Sequence, residues 1–188
     1  MRLLPKIATA AAIALGVLAF AMPAAWAQPQ GGKPPPRGIQ GLVVAVTDGD
    51  TLTLRPADGK PLTVRLSQID APEICQAWGP EARQALEELA LNKIATLQPR
   101  ARDAYGRTVG RLRIDELDVG RHLVENGHAW STRTRYDQGP MVKQERMAKA
   151  LSRGLHSQPG AVAPWEFRRR QGRCPPAEGA GASPKPGG

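Results

Sequence analysis

Residues 46–73, V-T-D-G-D-T-L-T-L-R-P-A-D-G-K-P-L-T-V-R-L-S-Q-I-D-A-P-E, constrain the fold more than any other stretch. Leu52 and Leu54 alternate with Thr51 and Thr53, and Leu62, Val64 and Leu66 alternate with Thr63, Arg65 and Ser67. A period of two is the mark of a strand with one buried face. Upstream, Leu42, Val44 and Val46 alternate with Val43 and Ala45 as a first strand. Asp48-Gly49 and Asp58-Gly59 separate the three runs. An acid followed by glycine is a hairpin signal, because glycine accepts a positive φ without a Cβ clash. This part of the chain is therefore antiparallel β-structure.

The charges at the ends of these strands carry the chemistry. Asp48 reads as a turn residue. Asp50 does not, since a hairpin has no need of a second acid just past its turn. Arg65 projects from the face opposite Val64 and Leu66, either as a phosphate ligand or as an ordinary solvated strand arginine. Asp70 and Glu73 bracket Ala71-Pro72, and the proline stiffens a turn that keeps the two acids near one another. Hard carboxylate oxygens, a guanidinium and a spare carboxylate suit metal-assisted attack on a phosphodiester.

Gly79-Pro80 opens a helix with Ala82, Ala85, Leu86 and Leu89 on its apolar face. Glu87 and Glu88 fall on its solvated side. A short strand is expected over residues 94–97. The turn Asp103-Ala104-Tyr105-Gly106-Arg107 leads into another, with Leu112 and Ile114 on one face and Arg107, Val109, Arg111 and Arg113 on the other. Those arginines either meet phosphate or form a solvated edge. Asp118 caps a short helix through Val119, Leu123 and Val124 that Gly127 ends. Pro140 starts a last helix with Met141, Ala148 and Leu151 as its stripe, stopped by Gly154, with the methionines as core fillers. Five strands with a helix after the third, then two more helices, make an α+β, mainly β chain. That order points to a five-stranded Greek-key barrel of the OB-fold kind with three helices.

The 188 residues allow one compact domain with tails. Residues 1–27 read as a secretory signal peptide: Arg2 and Lys6, an apolar run over 7–20, and Ala25-Trp26-Ala27 for cleavage. That run is short for a bilayer span and none follows, so no membrane insertion is expected after its removal. The product is then periplasmic or extracellular. Residues 28–40 are a Pro/Gly-rich linker, 41–157 the globular domain, 158–174 a looser basic extension with Trp165 and Arg168-Arg169-Arg170, and 175–188 a disordered tail. The net charge of +9 fits a polyanionic partner.

Asp-Gly-Asp-Thr at 48–51, Arg-Leu-x-x-Ile-Asp-Ala-Pro-Glu at 65–73, Asp-x-Tyr-Gly-Arg at 103–107 and Leu-Val-x-x-Gly-x-Ala at 123–129 together resemble the staphylococcal nuclease family. The resemblance covers residues 41–155. It implies an OB-fold barrel with three helices, Ca²⁺ dependence, and hydrolysis of DNA and RNA, single strands preferred, to 3′-phosphate products by a monomer. By position it implies Asp50, Asp70 and the backbone carbonyl of Ala71 as calcium ligands. Glu73 becomes the general base or water-orienting carboxylate, and Arg65 and Arg107 the ligands of the scissile phosphate. Thr51, Asp103 and Tyr105 support the site. Where the family has two tyrosines against the terminal base and sugar, this sequence has Arg133 and Arg135 with Tyr136 beside them. The loop after Glu73 is short, at residues 74–78, and His156 follows Gly154-Leu155 where tryptophan is common.

Cys75 and Cys174 are the only cysteines, and export favours a bridge between them over two free thiols. That bridge tethers the C-terminal extension beside the turn bearing Glu73. His122, His128 and His156 lack metal-ligand spacing and read as structural or surface residues, which disfavours zinc. Two other readings stand beside the enzyme: a non-catalytic nucleic-acid-binding OB module, and an envelope protein acting through its Pro-rich tails.

Overall fold

The computed structural model describes residues 38–172 and 174. The expected signal segment, residues 28–37 of the linker and the 175–188 tail lie outside the described residues. Strand β1 (Ile39–Asp48) turns into β2 (Thr51–Pro56), followed by β3 (Leu62–Leu66) and the two-residue β4 (Ile69–Asp70). Helix α1 (Gly79–Ala90) leads to the long hairpin of β5 (Ile94–Arg102) and β6 (Thr108–Ile114). Next come β7 (Leu117–Asp118), α2 (Val119–Glu125), β8 (Trp130–Ser131) and α3 (Val142–Ala150). A 3₁₀ turn (Gly154–Ser157) and helix α4 (Pro164–Gln171) complete the described chain.

The sheet runs β3-β2-β1-β5-β6-β7, and β3 also pairs with β6 in parallel. Val64, Arg65 and Leu66 lie opposite Thr108, Val109 and Gly110. This contact closes five strands into the mixed OB-type barrel that the element order implied. Its interior holds Val43, Leu52, Leu54, Val64, Leu66, Leu97 and Leu112, all buried to within 1% exposure. Ala82, Leu86 and Ala90 of α1, and Val119, Leu123 and Val124 of α2, extend the same core. Asp118 caps α2 by accepting a hydrogen bond from the Arg121 N–H. Among the described residues, no helix is long and apolar enough to cross a membrane.

Several expectations need correction. The inward row of β1 is not Leu42, Val44 and Val46: Val43 and Val46 are the buried residues. A register shift between Val43 and Ala45 inserts one residue, and a bulge exchanges the faces beyond it. Strand β5 runs to Arg102, well past Leu97, with a second irregularity at Pro99 that accommodates its missing N–H. Among the described residues, the barrel carries the three expected helices α1, α2 and α3, and the extension adds a fourth, α4. Only Met141 of the two α3-region methionines fills core; Met147 and Leu151 are more than half exposed.

Gly49 also has a different reason from the one its turn suggested. Its φ is not among the positive values of the chain. A Cβ there would instead lie 2.7 Å from the Ala71 Cβ and 2.8 Å from the Ala82 Cβ. Glycine lets the β1–β2 turn press against both the acidic turn and helix α1. Gly49→Ala is therefore expected to cost about 1–3 kcal/mol by overpacking. Urea unfolding checks this, and an unchanged midpoint would show that the three segments are not packed this tightly.

Candidate active site

Strand pairing brings the acids and arginines together. Thr51 lies opposite Arg65 across the β2–β3 ladder, and the Leu66 N–H donates to the Asp50 carbonyl at 2.8 Å. Asp50, in the β1–β2 turn, and Arg65, on β3, thus sit at the same end of the barrel. Asp70 leaves β3 through the short β4, whose pairing partner is β8, with Asp70 opposite Trp130. The turn after it is wound tightly: the Gln76 N–H donates to the Glu73 carbonyl and the Gly79 N–H to the Gln76 carbonyl. A Cβ on Gly79 would fall 2.1 Å from the Glu73 carbonyl oxygen, so the start of α1 can approach only as glycine.

The result is a cavity of about 210 Å³ lined by Asp48, Asp50, Arg65, Asp70, Ala71, Pro72, Glu73, Arg107 and Arg168. Arg65 is its hub. Its Nη1 donates to Asp50 Oδ1 at 2.5 Å and its Nη2 to Asp70 Oδ1 at 3.0 Å. Asp50 also accepts from the Thr51 hydroxyl at 3.0 Å and, through Oδ2, from the Ala71 N–H at 3.0 Å. Asp48 accepts from the Asp50 N–H at 3.0 Å, the local bond expected of a turn aspartate, while also lining the cavity. Arg107 is held by Asp103, Nε to Oδ2 at 2.7 Å, and reaches the Thr51 hydroxyl through Nη1 at 3.4 Å. Asp103 also accepts from the Tyr105 and Arg107 N–H groups, which shapes that turn. Tyr105 is exposed, with the Arg107 guanidinium 5.5 Å above its ring.

The remaining expected residues lie elsewhere. Arg133 is clamped to the buried Glu145 at 2.6 and 2.7 Å and stacks on Trp165 at 4.9 Å. Lys149 and the Ser131 N–H also hold Glu145. Arg135 lies over the ring of Tyr136, which is 90% exposed. None of these three lines the cavity. Of the arginines along β6, Arg111 pairs with Asp118 and Arg113 with Glu116. Cys75 and Cys174 are joined by a disulfide. Two of the three histidines pack on tryptophans: His128 faces Trp78, and His156 stands edge-on to Trp130.

Two residues of the site were missed by sequence reasoning. Arg168, read as part of a loose basic run, donates through Nη2 to Asp70 Oδ2 at 2.7 Å and through Nη1 to Glu73 Oε1 at 3.0 Å. Gln76 is buried and ties the Glu73 N–H, at 3.2 Å, to the Val162 carbonyl, at 2.6 Å. The expected bridge at Cys75 was the signal that the extension returns to this turn.

Electrostatics follow from burial. Asp50 is 3% exposed, and burial pushes its carboxyl up to about 7. Arg65 and the Ala71 N–H pull against that shift, while Asp48 and Asp70 add to it. Burial pulls Arg65 down, but Asp50 and Asp70 outweigh it and hold the guanidinium above its ordinary range. The hydrogen bonds from Arg168 to Asp70, with those to Glu73, raise Arg168 likewise. The cavity offers only hard oxygen donors and no histidine or thiol, a set that fits calcium or magnesium and not zinc. As the side chains stand, no group of three or more His, Cys, Asp or Glu among the described residues is arranged to hold a metal. The carboxylates of Asp50 and Asp70 face guanidiniums instead.

The structure is thus an OB-type barrel with paired acids and arginines at one end. The chain matches the staphylococcal nuclease homologue family over residues 63–158. Protein ParB of Escherichia coli is 38% identical over 170 residues, covering 85% of this chain and 89% of that protein. The micrococcal nuclease of Shigella flexneri is 31% identical over 169 residues, 84% and 91% of the two chains. An uncharacterized endonuclease of Haemophilus influenzae is 32% identical over 130 residues, 69% and 72%. The chain belongs to the staphylococcal nuclease family.

The raised Asp50 has a definite sign. A proton is bound more tightly in the folded metal-free site than in the unfolded chain. The corresponding stability is complete below about pH 4 and is lost as pH rises through about 7. Unfolding in chelator is expected to lose on the order of 2 kcal/mol between pH 5 and pH 7.5 that Asp50→Asn does not lose. Parallel pH profiles for the two proteins would contradict this.

Proposed function

We propose that this chain is an exported, calcium-dependent nuclease that hydrolyses DNA and RNA, single strands preferred, to 3′-phosphate products. The observation that carries the reading is the single cavity in which Asp50, Asp70 and Glu73 meet Arg65 and Arg107. Membership of a nuclease family and relatives named as nucleases support it. Export rests on the N-terminal segment and on the Cys75–Cys174 bridge, since disulfides persist in oxidising compartments.

Asp50, Asp70 and the main-chain oxygen of Ala71 would hold the ion. Bound there, calcium supplies positive charge to the phosphate oxygens without proton transfer. The chain's own residues do the rest. Arg65 and Arg107 bind the non-bridging oxygens, and their planar forks favour two-pronged contacts that lysine cannot make. Asp103 and Thr51 orient Arg107. Glu73 accepts a proton from the attacking water as its oxygen forms the new bond to phosphorus. The bond to the 5′ oxygen breaks, that oxygen is protonated from solvent, and phosphate stays on the 3′ side. The basic net charge attracts the polyanion to the protein.

The test is digestion of single-stranded DNA by purified protein in calcium and in EGTA, beside Glu73→Gln. The expected result is calcium-dependent cleavage that falls about 10²–10⁴-fold in the variant. Tight, salt-sensitive binding with no cleavage in calcium would replace the enzyme with a nucleic-acid-binding OB module.

A further inference from the structure

Helix α4 reaches the cavity from 95 residues beyond Glu73 in sequence, and three contacts determine where it sits. The Cys75–Cys174 bridge holds its far end to the acidic turn. Gln76 holds the approach to it through the Val162 carbonyl. Trp130, Leu155 and Ala163 form a second apolar cluster under its start, with Trp78 and Trp165 against it. Arg168 is thereby delivered to Asp70 and Glu73 by a segment clasped on both sides.

Both carboxylate oxygens of Asp70 already accept hydrogen bonds from guanidiniums. Oδ1 accepts from Arg65 Nη2 at 3.0 Å and Arg168 Nη1 at 3.2 Å, and Oδ2 accepts from Arg168 Nη2 at 2.7 Å. Asp70 is only 5% exposed, so its charge needs a close cation. On Asp50, Oδ1 faces Arg65 and Thr51 and Oδ2 faces the Ala71 N–H. A cation that approaches Asp70 therefore meets the positive charge of two guanidiniums already paired with it. Arg65 lies on β3, in the barrel wall between β2 and β6, and is held by Asp50 as well as Asp70. Arg168 hangs from a surface helix on a long flexible side chain and can leave while α4 stays in place.

We propose that Arg168 is a further residue of this catalytic centre: a tethered cation that shares Asp70 and Glu73 with the metal and sets the affinity of the site for it. The inference rests on the metal-dependent reading above. A metal ion and the Arg168 guanidinium repel one another at the same carboxylates and compete for them, so the apparent metal affinity is the intrinsic affinity reduced by the fraction of time Arg168 occupies the acids. The disulfide and Gln76 raise that fraction by keeping the effective concentration of the guanidinium high. The bridge therefore links the metal affinity of the site to its oxidation state.

Calorimetric titration of calcium into the metal-free, disulfide-bonded protein tests this without reference to cleavage. Arg168→Gln is expected to lower the calcium Kd tenfold or more. Arg168→Lys keeps the charge but loses the two-pronged grip, and is expected to fall between. Wild-type protein reduced at Cys75–Cys174 is expected to shift the same way by a smaller factor, and it serves as the comparison should the glutamine variant unfold. An unchanged or higher Kd in Arg168→Gln would make Arg168 a support of the ligand set and overturn the proposal. Calcium binding by neither wild type nor variant would overturn the metal-dependent reading and this inference with it.

Discussion

The Arg65 guanidinium between Asp50 and Asp70 is the contact on which the site depends. Both carboxylates are nearly withdrawn from water, and a buried carboxylate without a partner is costly enough to take up a proton or unfold its surroundings. Arg65 supplies that partner to two acids from two different segments. The Coulombic gain is offset by desolvation, which is why Asp50 is still raised despite a guanidinium at hydrogen-bonding distance. Such a centre contributes less to stability than its bond list suggests. Its value is that it keeps two acids and an arginine in fixed relation beside a small open cavity.

The barrel exists around this point. Parallel pairing of β3 with β6 closes the sheet at Arg65 itself, which lies opposite Val109. The same closure brings the turn carrying Asp103 and Arg107 to the mouth of the cavity, where Arg107 meets Thr51. On the other side, β4 pairs with β8 and fixes Asp70 against Trp130, whose cluster seats the C-terminal segment. The clustered acids, Arg65 and Arg107, and Arg168 are thus positioned by three separate features of one fold.

Much of this was legible because it is local. Period-two alternation put Arg65 opposite Val64 and Leu66, and the proline after Ala71 marked the turn that joins Asp70 to Glu73. Turn chemistry assigned Asp48 its bond to the Asp50 N–H. What escaped was set by long-range packing. The bulge that turns Val43 inward leaves no mark in an unbroken apolar run. The helical state of residues 164–171 comes from docking on Trp130 and from the bridge, in a stretch whose charge resembled a solvated tail. The clamp of Arg133 on Glu145 could not be read either, because that buried partner follows twelve residues later on another element. Arg168 lies 95 residues from Glu73. Only the expected disulfide hinted at that proximity, and it named a neighbourhood without naming a side chain.

The central claim is that Arg65 acts through the geometry of its fork and not through charge alone. Cleavage of single-stranded DNA by Arg65→Lys, measured in calcium beside its urea unfolding midpoint, tests this most directly. The account predicts a loss of about 10²–10³-fold in kcat with the fold retained, since lysine keeps the charge but cannot span two acids and a phosphate. Cleavage at the wild-type rate would show that a point charge suffices and that the Asp50–Arg65–Asp70 bridge is not the basis of the site.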